Sequence, residues 1–328
     1  GRGAPGAVGP AASHRAGALM LLEVKDLTIR YGKQLAVWEI GLTLGEREVL
    51  GLVGESGAGK STIGRALLRL LPEPGEITSG SISFNGRDLL SIPEGEMRAL
   101  RSAEIALIPQ DPLSALNPAF QIGLQATDAL ILHRGLSRRE AEGVMARLLA
   151  RMGIPDPEET LRMYPHQLSG GMRQRVLIAI AFSCKPSLIV ADEPTTSLDV
   201  TTQAQILRLL EEQRAEAGAA TCFITHDFGI VAQLAHRVAV LYAGCLVEQA
   251  PTREIFEAPL HPYTLAILSQ LRSLQGLPEL DGAMPVLSEP PRACPFRDRC
   301  PERMAICDRA HPPLKVVSAG HQVACHLY

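Results

Sequence analysis

The chain is short of lysine. Of its 32 basic residues only five are lysines, Lys25, Lys33, Lys60, Lys185 and Lys315, and arginine takes the other places. Charge of either sign is not in surplus, with a formal net charge of −3. That balance argues against a nucleic-acid partner, which needs clustered Lys and Arg to neutralise a phosphate backbone. Long apolar runs are missing too. The longest, from Val176 to Phe182, falls far short of the roughly 20 residues that span a bilayer. A role at a membrane would therefore mean docking on another chain. Residues 1–19 contain no acidic residue and no apolar stretch, which argues against a secretory signal. They read as a disordered extension ahead of a start at Met20, with a transit peptide as the alternative because Arg2 and Arg15 stand without acids.

What is present suffices for one large core with an appendage. Residues 21–31 and 37–44 read as strands separated by a turn at Gly32. The apolar run 49–53 leads into glycines and then a helical pattern over 60–71, and 81–84 with Asn85-Gly86 reads as a further strand and tight turn. Residues 95–182 are mostly helical in pattern, broken by prolines. Two buried-strand runs follow, 188–191 and 221–225, with a helix over 200–217 between them. Such alternation means a parallel sheet covered by helices. Past residue 255 the chain turns Pro-rich, so the main domain is expected over 20–255, its helical part over about 95–182, and a separate region over 256–328.

Against the lysine-poor background Lys60 stands out, at the end of Gly54-Glu-Ser-Gly-Ala-Gly-Lys-Ser61. This is the G-x-x-x-x-G-K-[ST] pattern. Glycines let backbone N–H groups turn onto a phosphate, and the following helix adds its positive end. Lys60 would reach the β- and γ-phosphates and the Ser61 hydroxyl would bind Mg²⁺. The strand over 188–191 ends in Asp192 and Glu193, a costly place for two acids unless they act. Asp192 suits a contact behind the metal, and Glu193 could polarise a water. Alone, the pair could equally be solvated acids. His226 ends a strand expected beside the phosphate-loop strand, and Gln110 follows an apolar stretch. Each is ordinary strand-end or turn chemistry when seen by itself.

A second Gly-rich turn, Leu168-Ser-Gly-Gly-Met-Arg-Gln-Arg175, opens another helix with Ser169 as its cap and Gly170-Gly171 as a flexible start. One nucleotide needs one cradle. A spare anion-binding turn points to a nucleotide held by a second copy or a sister chain.

Together these motifs resemble the nucleotide-binding subunits of ABC transporters over residues 21–255. Gly54, Glu55, Ser56, Gly57, Ala58, Gly59, Lys60, Ser61 and Thr62 look like the Walker A loop and Gln110 the Q-loop. Ser169, Gly170 and Gly171 lie in the signature, Asp192 and Glu193 end the Walker B strand, Ser197-Leu-Asp199 is the D-loop, and His226 is the switch histidine. Tyr31 stands where the family stacks an aromatic ring on adenine. The resemblance implies an α/β fold: a P-loop ABC-type ATPase with a RecA-like core, an antiparallel β subdomain, a helical subdomain and a small irregular C-terminal extension. It also implies ATP and Mg²⁺ as ligands, with Ser61 and Gln110 at the metal, Glu193 as base, and His226 holding water and phosphate. Two subunits would close head to tail, Ser169 and Gly171 of one approaching the γ-phosphate on Lys60 of the other.

Finer wording resembles dipeptide and oligopeptide (and nickel) importer ATPases, in particular the D-type subunit. The carriers are Gln110-Asp-Pro-Leu-Ser-Ala-Leu-Asn-Pro118, Tyr164-Pro-His-Gln167, Asp192-Glu-Pro-Thr-Thr-Ser-Leu-Asp-Val200 and His261-Pro-Tyr-Thr264. The implied partners are two integral-membrane permease subunits, a second ATPase of F type, and indirectly an extracytoplasmic solute-binding protein. The implied place is the cytoplasmic face of the cell (inner) membrane. Nickel or another small solute is the alternative cargo. A soluble ABC ATPase of DNA repair or translation fits less well, because the chain has neither a long coiled-coil insertion nor two ATPase units.

Four of the seven cysteines, Cys294, Cys300, Cys307 and Cys325, crowd the tail with five, six and seventeen residues between them. In a reducing compartment, clustered thiols suggest metal rather than disulfides. The spacing lacks the paired C-x₂-C of common zinc sites. Four thiolates suit a [4Fe–4S] cluster, as in the tails of some peptide-importer ATPases. Zinc and free thiols are the other readings.

Overall fold

Three runs bury every one of their residues: β3 (Val49–Val53), β7 (Leu188–Asp192) and β8 (Ala220–Thr225). Strands covered on both faces read as unbroken apolar runs, and they pair here in parallel. The computed structural model describes residues 20–196, 198–271 and 282–328. The extension expected over 1–19 and the D-loop's Ser197 lie outside these. Beyond β7 lies β6 (Ile105–Ile108), and beyond β3 lies β9 (Arg237–Tyr242), both also parallel to their neighbours. The sheet continues antiparallel through β10 (Cys245–Pro251), β12 (His321–Val323) and β11 (Lys315–Ser318). Its full order is β11-β12-β10-β9-β3-β8-β7-β6.

A second, antiparallel sheet packs beside it in the order β2-β1-β4-β5, built from β1 (Met20–Tyr31), β2 (Gln34–Gly45), β4 (Gly75–Phe84) and β5 (Arg87–Asp88). β1 and β2 form a hairpin about Gly32, whose φ of 58° suits the turn. Leu22, Leu27, Ile29, Ile40 and Leu44 of this hairpin share one apolar cluster with Leu50, Leu52, Ile63 and Ile224. The helices Ile122–Arg134, Arg138–Arg151, Pro157–Arg162 and Gly170–Ser183 form a block around a second cluster that includes Ala126, Met145, Leu149 and Ile178. Ser137 and Glu140 cap the second of these helices reciprocally.

The structure departs from the sequence pattern in three places. The mostly helical stretch 95–182 contains strand β6, four apolar residues that periodicity cannot distinguish from a buried helical turn. The helix over Lys60–Leu67 stops short of residue 71, because Arg69 adopts a left-handed φ of 53°. β4 begins at Gly75, six residues before the apolar alternation that marks it in sequence, since Ile77 is the one apolar side chain among its first six residues and none of the six is fully buried.

The tail joins the core physically. Glu248 and Gln249 of β10 pair with Val323 and Gln322 of β12. Cys294, Phe296 and Cys307 share an apolar cluster with Val53, Phe228, Tyr242 and Tyr263. His321 bridges two carboxylates, Nε2 to Glu248 at 2.8 Å and Nδ1 to Glu254 at 3.0 Å. Glu248 is fully buried and also accepts the N–H groups of Leu260 and His261. Removing the imidazole leaves the buried Glu248 carboxylate one partner short. We therefore expect His321→Ala to lower stability by about 3 kcal/mol, read as a shift of the denaturant midpoint, while Lys315→Ala on the exposed β11 leaves it unchanged.

Candidate active site

Gly54 follows the last residue of β3, at the carboxyl edge of the parallel strands where ligands sit in open α/β sheets. Two glycines shape the loop. Gly54 has φ 150°, and a Cβ there would lie 2.2 Å from the Leu241 carbonyl oxygen. Gly59 has φ 97°, and a Cβ would meet the Ala36 carbonyl oxygen at 2.6 Å. Only glycine lets the loop close against these backbones before the helix Lys60–Leu67 begins. Lys60 is 4 % exposed and its ammonium donates to the carbonyls of Gly54 (2.8 Å) and Glu55 (2.9 Å). Burial pushes its pKa down, and the nearby carboxylates of Glu193, Asp192 and Glu55 oppose that shift.

β7 delivers the carboxylates. Asp192, its last residue, accepts the Ser61 hydroxyl at 2.7 Å. Burial raises the Asp192 pKa, while the Ser61 hydrogen bond and Arg65 hold it down. Glu193 is placed by an unusual backbone, with φ 45°, and its N–H extends the ladder to the Ile224 carbonyl at 2.9 Å. Left-handed non-glycine residues cost on the order of 1–3 kcal/mol and concentrate at functional sites. Three groups converge on Glu193 Oε2: Gln110 Nε2 at 3.1 Å, the Thr196 hydroxyl at 2.9 Å and His226 Nδ1 at 3.3 Å.

A cleft of about 710 Å³ joins these parts. It is lined by Tyr31, by Gly54, Glu55, Ser56, Gly57, Gly59, Lys60, Ser61 and Thr62 of the loop, and by Gln110, Glu193 and His226. Ala58 is fully buried beneath the loop. Donors from a loop, one ammonium, a hydroxyl–carboxylate pair and an in-reach carboxylate base are the parts of phosphoryl-transfer chemistry. The Ser61 hydroxyl and Asp192, with Gln110 opposite, are oxygen donors of the kind Mg²⁺ takes. Ser169, Gly170 and Gly171 are not among the cleft's lining residues. Ser169 caps the helix Gly170–Ser183 by accepting the Met172 N–H at 3.3 Å, and Ser169 and Gly170 are exposed.

The model of the family described as "ABC transporter" matches residues 37–196, and that described as "Oligopeptide/dipeptide transporter, C-terminal region" matches 247–307. The chain is 44% identical over 314 residues to the oligopeptide transport ATP-binding protein OppD of Salmonella typhimurium, covering 93% of each. The chain belongs to the ATP-binding proteins of oligopeptide/dipeptide ABC transporters. It is also 43% identical over 316 residues to the dipeptide transport ATP-binding protein DppD of Bacillus subtilis, covering 94% of each. A solved dimeric ATP-binding cassette, MJ0796 in a post-hydrolysis state with ADP and phosphate, is 27% identical with a TM-score of 0.63. That match covers 71% of this chain and 99% of the cassette.

In this ABC ATPase the structure adds residues that the motifs did not reveal. Gln34, Ala36, Phe228 and Ile267 also line the cleft, and Tyr263 donates no motif of its own yet accepts the Glu55 N–H at 2.9 Å. Its place in His261-Pro-Tyr-Thr264 was the signal available in sequence. The expectation of a metal-binding cysteine tail meets a different arrangement. All seven cysteines are free thiols, and among the described residues no group of three or more His, Cys, Asp and Glu side chains is gathered as a metal requires. Cys294, Cys300, Cys307 and Cys325 thus do not form a ligand set as they stand. Burial raises the thiols of Cys294 (to about 11), Cys300 and Cys325, which keeps them neutral. No described helix is long and apolar enough to cross a membrane.

The loop's glycine requirement is testable. Gly59→Ala should weaken nucleotide binding about tenfold or more, since a left-handed alanine alone costs roughly 1–2 kcal/mol. Titration with a fluorescent ATP analogue checks this; wild-type affinity would show that the loop does not need its glycine there.

Proposed function

We propose that this ATPase powers import of dipeptides or oligopeptides through a membrane ABC transporter, as one of its peripheral subunits. The observation that carries the reading is the convergence of Lys60, Ser61, Gln110, Glu193 and His226 on one cleft, with Asp192 behind Ser61, in a chain whose relatives at 44% and 43% identity are named for oligopeptide and dipeptide transport. Lys60 and the loop N–H groups hold the β- and γ-phosphates. Ser61 and Gln110 would hold Mg²⁺, backed by Asp192 on the Ser61 hydroxyl, and the ion would supply positive charge to the phosphates. Glu193 takes the proton of an in-line water, and His226 orients water and γ-phosphate. Tyr31 stacks on the adenine.

The exposed Ser169 and Gly170, with the half-buried Gly171, complete a nucleotide site on another ATPase chain. In this reading that chain is an F-type homologue, and two permease subunits dock beside Gln110 on the cytoplasmic face of the membrane. The dimeric cassette similar to this chain supports such a pairing. A solute-binding protein would meet the permeases on the far side.

Glu193→Gln should bind ATP with near wild-type affinity while turnover falls at least about a hundredfold, the usual contribution of a general base. It should also trap an ATP-dependent dimer on size exclusion. Lys60→Ala should lose binding itself. A Glu193→Gln variant that hydrolyses ATP normally removes the base assignment.

We also infer a [4Fe–4S] site, or zinc, on Cys294, Cys300, Cys307 and Cys325. Support comes from the backbone bond of the Cys294 N–H to the Cys307 carbonyl at 2.9 Å, from the apolar cluster that Cys294 and Cys307 share with Cys300 packed against it, and from four thiols that carry no disulfide. Protein purified without oxygen should be brown and hold about four irons per chain. Colourless, iron-free protein ends that reading, and zinc by elemental analysis replaces it.

A further inference from the structure

Glu55, one residue into the phosphate loop, has its three polar groups engaged, two of them by the C-terminal segment. Its N–H donates to the Tyr263 hydroxyl at 2.9 Å. Its carboxylate receives both ends of the Arg299 guanidinium, at 2.9 Å each. Its carbonyl accepts from the Lys60 ammonium at 2.9 Å. Arg299 lies in the short turn Arg297–Arg299, next to Cys300, and its side chain is only 7 % exposed. The guanidinium is itself fixed over the Tyr242 ring, 5.7 Å from its centre, and donates to the Tyr242 hydroxyl at 3.3 Å. Tyr242 packs edge-on against Tyr263 and Phe296, so both braces on Glu55 spring from one aromatic cluster.

The loop needs such a brace. Gly54 and Gly57 flank Glu55 and Ser56, and glycine supplies conformational freedom rather than stiffness. A planar, bidentate arginine–carboxylate pair fixes orientation as well as distance, which a point charge cannot. It also pairs off the negative charge that Glu55 brings into the phosphate loop.

We propose that Arg299 is a positioning residue of the ATPase: through the Glu55 carboxylate it holds the first turn of the phosphate loop, and with it Lys60, in the shape that receives the β- and γ-phosphates. Tyr263 supports the same residue from its N–H. The cysteine-bearing tail is then part of the scaffold of the ATP site. This inference rests on residues 54–62 being the nucleotide site.

The test uses the full chain and a fluorescent ATP analogue. Arg299→Ala should weaken binding about tenfold, Arg299→Lys by less because the ammonium keeps the charge although it cannot bridge both oxygens, and Tyr263→Phe several-fold with its ring packing kept. Trp38, the chain's single tryptophan, stacks edge-on against His311 of the tail at 4.6 Å, so its emission reports whether the tail stays docked. For Arg299→Lys and Tyr263→Phe, emission and Tm should match wild type, which a fold-staple role would not allow alongside weaker binding. Combined Glu55→Ala/Arg299→Ala should bind no worse than the weaker single variant, because both remove one interaction. The proposal is overturned if Arg299→Lys and Tyr263→Phe bind as wild type, if their affinity falls only together with Tm, or if the double variant is additive. Should Arg299→Ala fail to fold, the two milder variants decide. Lys60→Ala separates the levels: normal binding there removes the nucleotide site itself, whereas lost binding there with unaffected Arg299 variants removes only the brace.

Discussion

The central strands of this fold have no room for charge, and the chemistry of the molecule follows from that. β3, β7 and β8 are buried along their whole length. A charge among them would cost several kcal/mol unless paired, so charged side chains stand only where the strands end, Asp192 closing β7. The register brings those ends level: Val53 lies beside Thr225, and Asp192 beside Ile224. Gly54, Glu193 and His226 are therefore neighbours because three apolar strands stop at the same height. Loop variation elsewhere could not achieve this without moving the sheet.

The same edge is electrostatically poised. Lys60 is a buried cation, and burial disfavours it, yet Glu193, Asp192 and Glu55 surround it and favour it. Asp192 shows the mirror image, raised by burial and held down by the Ser61 hydroxyl and Arg65. Three carboxylates against one ammonium would repel a triphosphate. Arg299 cancels Glu55 by a paired contact, and a divalent cation on the Ser61–Asp192 pair would answer the second. Glu193 remains beside them in the cleft lining. With Lys60, Arg299 and such a cation set against the three carboxylates, the edge carries a net positive charge, which suits a triphosphate.

The sheet and the cleft were legible because short-range sequence carries them. A phosphate loop is eight consecutive residues, and an apolar run closing on Asp192-Glu193 announces a buried strand with a reactive tip. β6 was not legible, since four apolar residues inside a helical stretch have no period of their own. Nor were Arg299 and Tyr263, whose partner Glu55 lies 244 and 208 residues away in the chain. An arginine among prolines and cysteines looks like any surface arginine. What identifies it is a side chain 7 % exposed with both nitrogens on one carboxylate, which only three dimensions provide. The tail is similar: its composition marks a boundary near residue 256, while β12 pairing with β10 ties it to the sheet that carries the loop.

The position of Ser169 sets what one chain can do by itself. The helix Gly170–Ser183 starts at an exposed turn whose only side-chain cap is the Ser169 hydroxyl, leaving other N–H donors of its first turn to face outward. A helix start of this kind attracts anions, yet the cleft of the same chain does not include it. Two identical chains related by a twofold axis would exchange the turns equally, each completing the other's site. With a sister chain in the second place, as in the reading proposed above, the two sites differ. A defect at Lys60 then falls on one nucleotide and a defect at Ser169 on the other. The tail brace on Glu55 belongs wholly to the first, so in such a pair the cysteine-bearing segment acts on the nucleotide held by its own chain and leaves the sister's untouched.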